Sequence, residues 1–193
     1  MRPLISVIIP VFNHAHTLER TLLSLAAQSY RSLEVIIVND GSTDDFLEVM
    51  KRIQHQEPFA SLDGKVFSQS NLGAAAARNR GFKESTGEFI IFWDADTIAQ
   101  PEMLEKMATV LLVHDEASYV YCRHRFGWKR IASQHFNTKD LLRYNYIDAT
   151  SLIRRQDFPG FDSTLDRLQD WNLWLTLLEK DKTGIFLPET LYA

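Results

Sequence analysis

Buried-looking apolar runs alternate with amphipathic stretches through the first 115 positions. Leu4–Ile9 is a β-branched apolar run of the kind carried by a strand covered on both faces. His16–Gln28 follows with Leu18, Leu22, Leu25 and Ala26 at helical spacing. Leu33–Val38 predicts a second buried strand. Thr43–Gln56 predicts a helix with Phe46, Leu47, Val49, Met50 and Ile53 on its apolar side. Lys65–Ser68 predicts a short third strand, Leu72–Glu84 an alanine-rich helix, and Glu88–Trp93 a fourth strand. Pro101–His114 predicts a helix with Pro101 in its first turn, where a missing N–H costs nothing. Apolar strands separated by helices imply an α/β domain with a mostly parallel sheet and helices on both faces. Right-handed crossovers then make it doubly wound and Rossmann-like.

The second half is less regular. Ser118–Cys122 and Thr150–Arg154 read as strands, Lys139–Tyr144 as a short helix or turn, and Phe158–Leu165 as a Pro/Gly loop. Leu165–Lys180 predicts a strong helix. Leu168, Trp171, Leu175 and Leu178 lie along one face, and Leu173, Trp174 and Leu177 widen it. So broad a stripe implies burial on more than one side. Leu187–Ala193 is strand-like and stops abruptly, as a piece of a longer protein would. The chain reads as a single domain, 1–193, with a regular half, 1–115, and a smaller second half, 116–193.

A chain of 193 residues can bury a full core without staples. Its one cysteine, Cys122, excludes an internal disulfide and a Cys-based zinc site, and fits a reducing compartment. The formal net charge of -4 argues against a general nucleic-acid binder, so no nucleic acid is expected as a partner. Arg123, His124, Arg125, Lys129 and Arg130 still form a local basic patch. It reads first as a solvated face. Its second reading is a peripheral contact with acidic lipid, at the inner face of a membrane, or with an anionic acceptor. Leu4–Val11 is too short to span a bilayer, and Pro10 interrupts it. The domain therefore reads as cytoplasmic.

Five segments could carry chemistry. Phe92–Thr97 places Asp94 and Asp96 just past a buried strand, where open α/β sheets bind ligands. In extended geometry the two carboxylates point the same way, and a divalent cation shared with substrate phosphates would relieve their repulsion. Alternatively they cap the turn before Pro101. In Val38–Asp44, Gly41 makes a turn, Ser42 or Thr43 caps a helix, and Asp44 and Asp45 complement its dipole. That leaves Asp40 free to accept hydrogen bonds from a nucleobase. Pro10–Asn13 ends the first strand, and Phe12 there is either core or a platform for a base. In Asn71–Asn79, four alanines allow a helix to approach the sheet closely, and Arg78 either reaches a phosphate or ribose or forms a surface salt bridge. In Leu168–Trp174, Asp170 is either a first-turn charge or a base that takes a proton from an acceptor hydroxyl. Trp128, Tyr144 and Tyr146 read as packing or surface residues, with an acceptor groove as the alternative.

Taken in order, Ser6–Asn13 (SVIIPVFN), Val35–Asp44 (VIIVNDGSTD), Asn71–Asn79 (NLGAAAARN), Gly87–Asp96 (GEFIIFWDAD) and Phe161–Trp174 (FDSTLDRLQDWNLW) resemble the family 2 glycosyltransferases of the GT-A fold. The resemblance spans nearly the whole chain, and Val120–Tyr146 matches least. It implies that Phe12 lies against the base, usually uracil, with Pro10 beside it, and that Asp40 hydrogen-bonds that base. It implies that Asp94 lies near the ribose or metal, that Asp96 ligates Mn²⁺ or Mg²⁺, and that Arg78 and Asn79 line the donor site. Asp170 would be the catalytic base. The implied partners are a nucleotide-sugar donor, UDP-linked by default, and a glycan or glycolipid acceptor. The implied reaction is a single displacement that inverts the anomeric carbon, in the 1–115 half for the donor and the 116–193 half for the acceptor and base.

Two positions depart from the pattern. Gln169 stands where many relatives carry Glu, and Thr176 where many carry Arg. The Gln-x-x-Arg-Trp motif of processive synthases is absent, so one sugar is expected to move per encounter. A sugar nucleotidyltransferase is disfavoured, because Ile5–His16 holds no glycine, Lys or Arg for a phosphate loop. A nucleotide-sugar-binding domain without catalysis is disfavoured by Asp170.

Overall fold

Side chains alternate sides along a strand, and here both sides are apolar. Ile5, Val7, Ile9 and Val11 of β1 (Ile5–Val11) enter one core, and Ile8 enters the other. The same division runs through β2 (Leu33–Asp40), with Val35 and Ile37 against Ile36 and Val38. It runs also through β4 (Phe89–Phe92), with Phe89 and Ile91 against Ile90 and Phe92. The computed structural model describes residues 2–57, 59–127, 129–130 and 133–193. Trp128 and the side chains of Lys129 and Arg130, all singled out in the sequence, lie outside the described residues.

Helices α1 (Ala15–Ala26), α2 (Phe46–Ile53) and α4 (Met103–Val113) cover the first core. Helices α3 (Ala74–Glu84) and α6 (Gln169–Leu178) cover the second. The remaining strands are β3 (Asp63–Gln69), β5 (Tyr119–Phe126), β6 (Lys129–Arg130), β7 (Leu152–Arg154) and β8 (Gly184–Tyr192), and α5 (Thr138–Leu141) is a single turn. The strand order is β3-β2-β1-β4-β7-β5, with β8 on β5 and β6 folded back on the end of β5. Pairs among β1 to β4 are parallel, as is β5 with β8. Strand β7 runs antiparallel to both β4 and β5. The expected mostly parallel, doubly wound sheet is present, with one reversed strand at the point where the two halves join.

Several local expectations are corrected. Helix α2 starts at Phe46, and Leu47 is exposed. Neither Ser42 nor Thr43 caps it: the Ser42 hydroxyl accepts the Asn13 N–H, and the Thr43 N–H binds the Asn13 amide oxygen. Pro101 precedes α4, in a turn whose carbonyl accepts the Ser29 N–H. Helix α6 starts only at Gln169, because Leu168 takes a left-handed φ of 58°. Its buried face is Leu173, Trp174 and Leu177, while Leu168 is exposed. The strand-like C-terminal run is β8, whose register against β5 slips between Leu187 and Thr190. Pro188 lies in that slip, and proline in a sheet is confined to such irregularities or edges.

Helix α3 lies very close to the sheet. Ala75 and Ala77 are buried, as four successive alanines suggested. The tightest point is Gly81, where an added Cβ would stand 2.3 Å from Cγ2 of Ile8. This closeness brings the N-terminal turn of α3 to the carboxyl ends of β1 and β2, beside the site.

Candidate active site

The carboxyl ends of β1, β2 and β4 open onto a hollow of about 490 Å³. Pro10, Phe12, Asp40, Arg78, Asp94 and Asp96 line it, so six of the eight residues singled out in the sequence meet there. Phe12 is 43% exposed, so it is not a core residue. Asp40 is buried, and it already has partners. Its Oδ1 accepts from Nε2 of Gln69 at 2.8 Å and the Leu72 N–H at 2.9 Å, and its Oδ2 from the Gly73 N–H at 2.9 Å. A carboxylate offers about four acceptor positions, so one remains unused by these three donors. Asp40 thus shapes the loop that leads into α3.

Asp94 and Asp96 do not form the extended pair expected of them. The Thr97 N–H binds the Asp94 carbonyl at 3.0 Å, closing a turn. Asp94 turns into the crevice and pairs with Arg78, whose Nη2 lies 2.9 Å from Oδ1. Asp96 is exposed. Burial raises the Asp94 pKa, and Asp148 and Asp96 add to that, while Arg78 opposes it. Arg78 also stacks over Phe161, 5.3 Å from the ring centroid, and its Nη1 approaches Oε1 of Gln169 at 3.4 Å. Its buried Nε has no partner among the described residues.

A second hollow, of about 400 Å³, adjoins the first across Gly73, Ala74, Arg78 and Asp94. Asp170, in the first turn of α6, lines it together with Asp148 and Gln169. Burial raises the Asp170 pKa and Asp148 adds to that, against hydrogen bonds from the Trp171 N–H and Asn145. A third hollow, of about 420 Å³, lies on the far side of Asp94 and Asp96, toward His124 and Tyr192. Asp94 lines all three.

The sequence model of the family described as "Glycosyl transferase family 2" matches residues 6–167. The chain belongs to that family. This family 2 domain is 36% identical over 190 residues to an uncharacterized glycosyltransferase of Haemophilus influenzae, covering 95% of this chain and 75% of that protein. It is 34% identical over 144 residues to the uncharacterized glycosyltransferase YibD of Escherichia coli, covering 72% of this chain and 41% of that protein. Of the cholesterol galactosyltransferase of Borreliella burgdorferi it spans 27%, so it corresponds to a part of several of these relatives. Among solved structures, S. aureus TarS 1-349 in complex with UDP superposes with a TM-score of 0.81 at 22% identity, covering 98% of this chain and 59% of that one. The mannosyltransferase PcManGT of Pyrobaculum calidifontis, in complex with GDP-Man and Mn²⁺, gives 0.79 at 21%, covering 99% and 56%. The fold of the domain is GT-A.

Three residues near these hollows escaped the sequence reading or sit elsewhere than expected. Asn79, expected beside Arg78 in the donor site, lines neither of the first two hollows. Its amide binds the backbone of Phe161 at both ends, each at 2.8 Å, and anchors the loop before α6. Asp148 was missed, and it lines the second and third hollows. Asn145 was missed too: its Nδ2 lies 2.7 Å from Oδ2 of Asp170. Both stand in the loop between α5 and β7, within and just past the segment least like the family pattern. An Asn and an Asp three residues apart in a turn-rich stretch carry no signal of their own. Of the suggested acceptor-groove residues, Tyr146 is buried and bonded to Asn137, and exposed Tyr144 bonds Gln134, away from these hollows. Cys122 is buried, which pushes its thiol up to about 12 and leaves it a core residue.

Proposed function

We propose that this domain transfers one sugar from a nucleotide-diphosphate sugar, by preference a UDP-sugar, to a hydroxyl of a polysaccharide, a lipid-linked glycan or a similar acceptor, with inversion. The observation that carries the reading is the meeting of Asp40, Asp94, Asp96 and Arg78 in one hollow that adjoins a second hollow holding Asp170. The first takes the nucleotide, with the base on Phe12 and its N–H at the free acceptor position of Asp40. Arg78 faces the diphosphate. The second takes the transferred sugar and the acceptor. The domain then acts as one unit, with donor residues mainly from 1–115 and base-side residues from 116–193.

The side chains suit a metal held chiefly by substrate. Among the described residues no three His, Cys, Asp or Glu side chains form a cage of their own. Asp94 is engaged by Arg78, whereas Asp96 is exposed at the end of the same turn. One carboxylate plus two phosphates is the manner in which hard cations such as Mg²⁺ or Mn²⁺ are commonly held. Asp96 would hold the ion, which stabilises negative charge building on the leaving diphosphate when bound. Asp170 would take the acceptor proton as the new bond forms. Its raised pKa brings it nearer to neutrality, where a general base is most effective.

The test is calorimetric titration with UDP, GDP and dTDP, each with Mn²⁺ and with EDTA. Metal-dependent binding of UDP supports the reading. Binding of GDP or dTDP alone changes the donor. Binding without any turnover favours a nucleotide-sugar-binding domain, and no binding overturns the assignment of the hollow.

A further inference from the structure

We propose that Asn145 is a positioning residue for Asp170, and that Trp171 and Trp174 exist in this helix to lock the loop that carries it. The inference rests on the reading of Asp170 as the base. A carboxylate in the first turn of a helix is free to rotate unless both oxygens are held. Here the Trp171 N–H lies 2.9 Å from Oδ1, and Nδ2 of Asn145 lies 2.7 Å from Oδ2. The orientation of the Asn145 amide is itself determined, because its oxygen accepts the Ile147 N–H at 3.1 Å. A flipped amide would set oxygen against carboxylate and NH₂ against N–H.

The loop is fastened to the helix that carries the base. The indole N–H of Trp171 donates to the Leu141 carbonyl at 2.7 Å, and that of Trp174 to the Ile147 carbonyl at 2.8 Å. Leu141, Asn145 and Ile147 are thus bonded to Trp171, Asp170 and Trp174 of α6 respectively. Trp174 is fully buried, 4.7 Å from the ring of Tyr119, so the clamp is rooted in the core. Buried indole N–H groups need such partners, and here the two partners flank Asn145 in the chain. They fix the distance between the donor on Asn145 and its acceptor.

Charged groups face Asp170 from each neighbouring element: Asp148 from the same loop, Asp94 and Arg78 across the hollow, and Asp166 and Arg167 before the helix. Asp148 makes the carboxylate harder to ionise, and Asn145 offsets it. Each oxygen of Asp170 keeps a lone pair for an incoming proton.

The test is ¹³C-carboxyl NMR titration of the protein, with the Asp170 resonance assigned by its loss in Asp170→Asn. It is paired with the pH profile of UDP-glucose hydrolysis. Asn145→Ala removes the donor and should move the Asp170 titration up by about one pH unit, the worth of one hydrogen bond to a charged group. Asn145→Asp keeps an acceptor for the Ile147 N–H and replaces the donor with a like charge, so it should move the titration at least as far. Asp148→Asn should move it down. The acid limb of hydrolysis should follow in each variant. An Asp170 titration that stays put in folded Asn145→Asp would overturn the proposal. Hydrolysis that survives in Asp170→Asn would instead remove the base reading, while the NMR shift would still report whether Asn145 holds that carboxylate.

Discussion

Arg78 lies 2.9 Å from Asp94, and this one ion pair divides the work of the two carboxylates on the turn after β4. Asp94 is matched by a guanidinium that is itself largely buried, and Asp96 is left facing outward. The repulsion expected from their proximity is thus relieved by a resident cation for one of them. Asp96→Ala should therefore abolish the Mn²⁺-dependent part of UDP binding and leave weak binding in EDTA unchanged. Arg78→Ala should weaken binding about 10- to 100-fold with or without metal, as expected when one charged hydrogen-bond donor to the diphosphate is removed. Calorimetry in the two buffers separates these outcomes, and a metal-dependent loss in Arg78→Ala alone would reverse the roles.

Asp40 holds a loop as well as facing the hollow. Removing its carboxylate takes away the hydrogen bonds to the Leu72 N–H and the Gln69 amide, and leaves the Gly73 N–H only the longer contact to Oδ1 of Asn71 at 3.3 Å. Asp40→Ala should cost about 3 kcal/mol of stability, or a melting temperature lower by roughly 6–12 °C. UDP affinity should fall with it. Asp40→Asn, which retains one oxygen, should be intermediate in both. An Asp40→Asn protein that is less stable yet binds UDP like the parent would confine the residue to the loop.

Glu34 is buried between strands β1 and β3, at the opposite end of β2 from Asp40. Burial alone would raise its pKa. Hydrogen bonds from the Thr86 backbone, Ser6, Lys65 and the Thr86 hydroxyl outweigh it and hold the carboxyl at about 2, below the usual 4.5. A depressed folded-state pKa contributes stability above the unfolded value that is lost as pH falls toward the folded one. The contribution is on the order of 3 kcal/mol at neutral pH and disappears between about pH 4.5 and 2. Glu34→Gln should melt lower at pH 7 and show a flatter loss of stability as pH falls from about 4.5 to about 2, measured by calorimetry. Parallel acid limbs in the two proteins would place the acid-sensitive group elsewhere.

Gly81→Ala tests the close approach of α3. A Cβ at 2.3 Å from Ile8 forces the helix away from β1. Overpacking of this kind costs about 1–3 kcal/mol, against a helix-propensity gain near 1. The melting temperature should fall, and UDP affinity should fall too, because Ala74 and Arg78 ride on the same helix. Chemical denaturation with unchanged slope would confirm a stability effect; a rise in stability would show that the helix yields freely.

Much of this architecture was legible because strands covered on both faces are continuously apolar, as Ile5–Ile9 and Phe89–Phe92 are. The donor-side residues were legible because they end such strands. Other parts were hidden for identifiable reasons. Neighbours on a helix point about 100° apart, so Asn79 could not share the outlook of Arg78. Glu34 sits inside an apolar run, where its partners come from Thr86 and Gly87, distant in sequence. The strand at Thr150–Arg154 was legible, but so short a strand gives no sign of its reversed direction. Asn145 and Asp148 acquire their roles only when Trp171 and Trp174 pull their loop across the crevice.

The reversed strand β7 also bears on how the chain comes together. Phe89–Phe92 is buried on both faces and pairs with β1 along one edge, but its other edge is closed only by Leu152–Arg154. During synthesis that apolar edge leaves the ribosome well before its partner. Through that interval it offers unpaired N–H and C=O groups to any other nascent chain. The first half, 1–115, therefore lacks by itself the strand that covers this edge. The strand that closes the edge of β4 is supplied by the same stretch of chain that delivers Asn145 and Asp148.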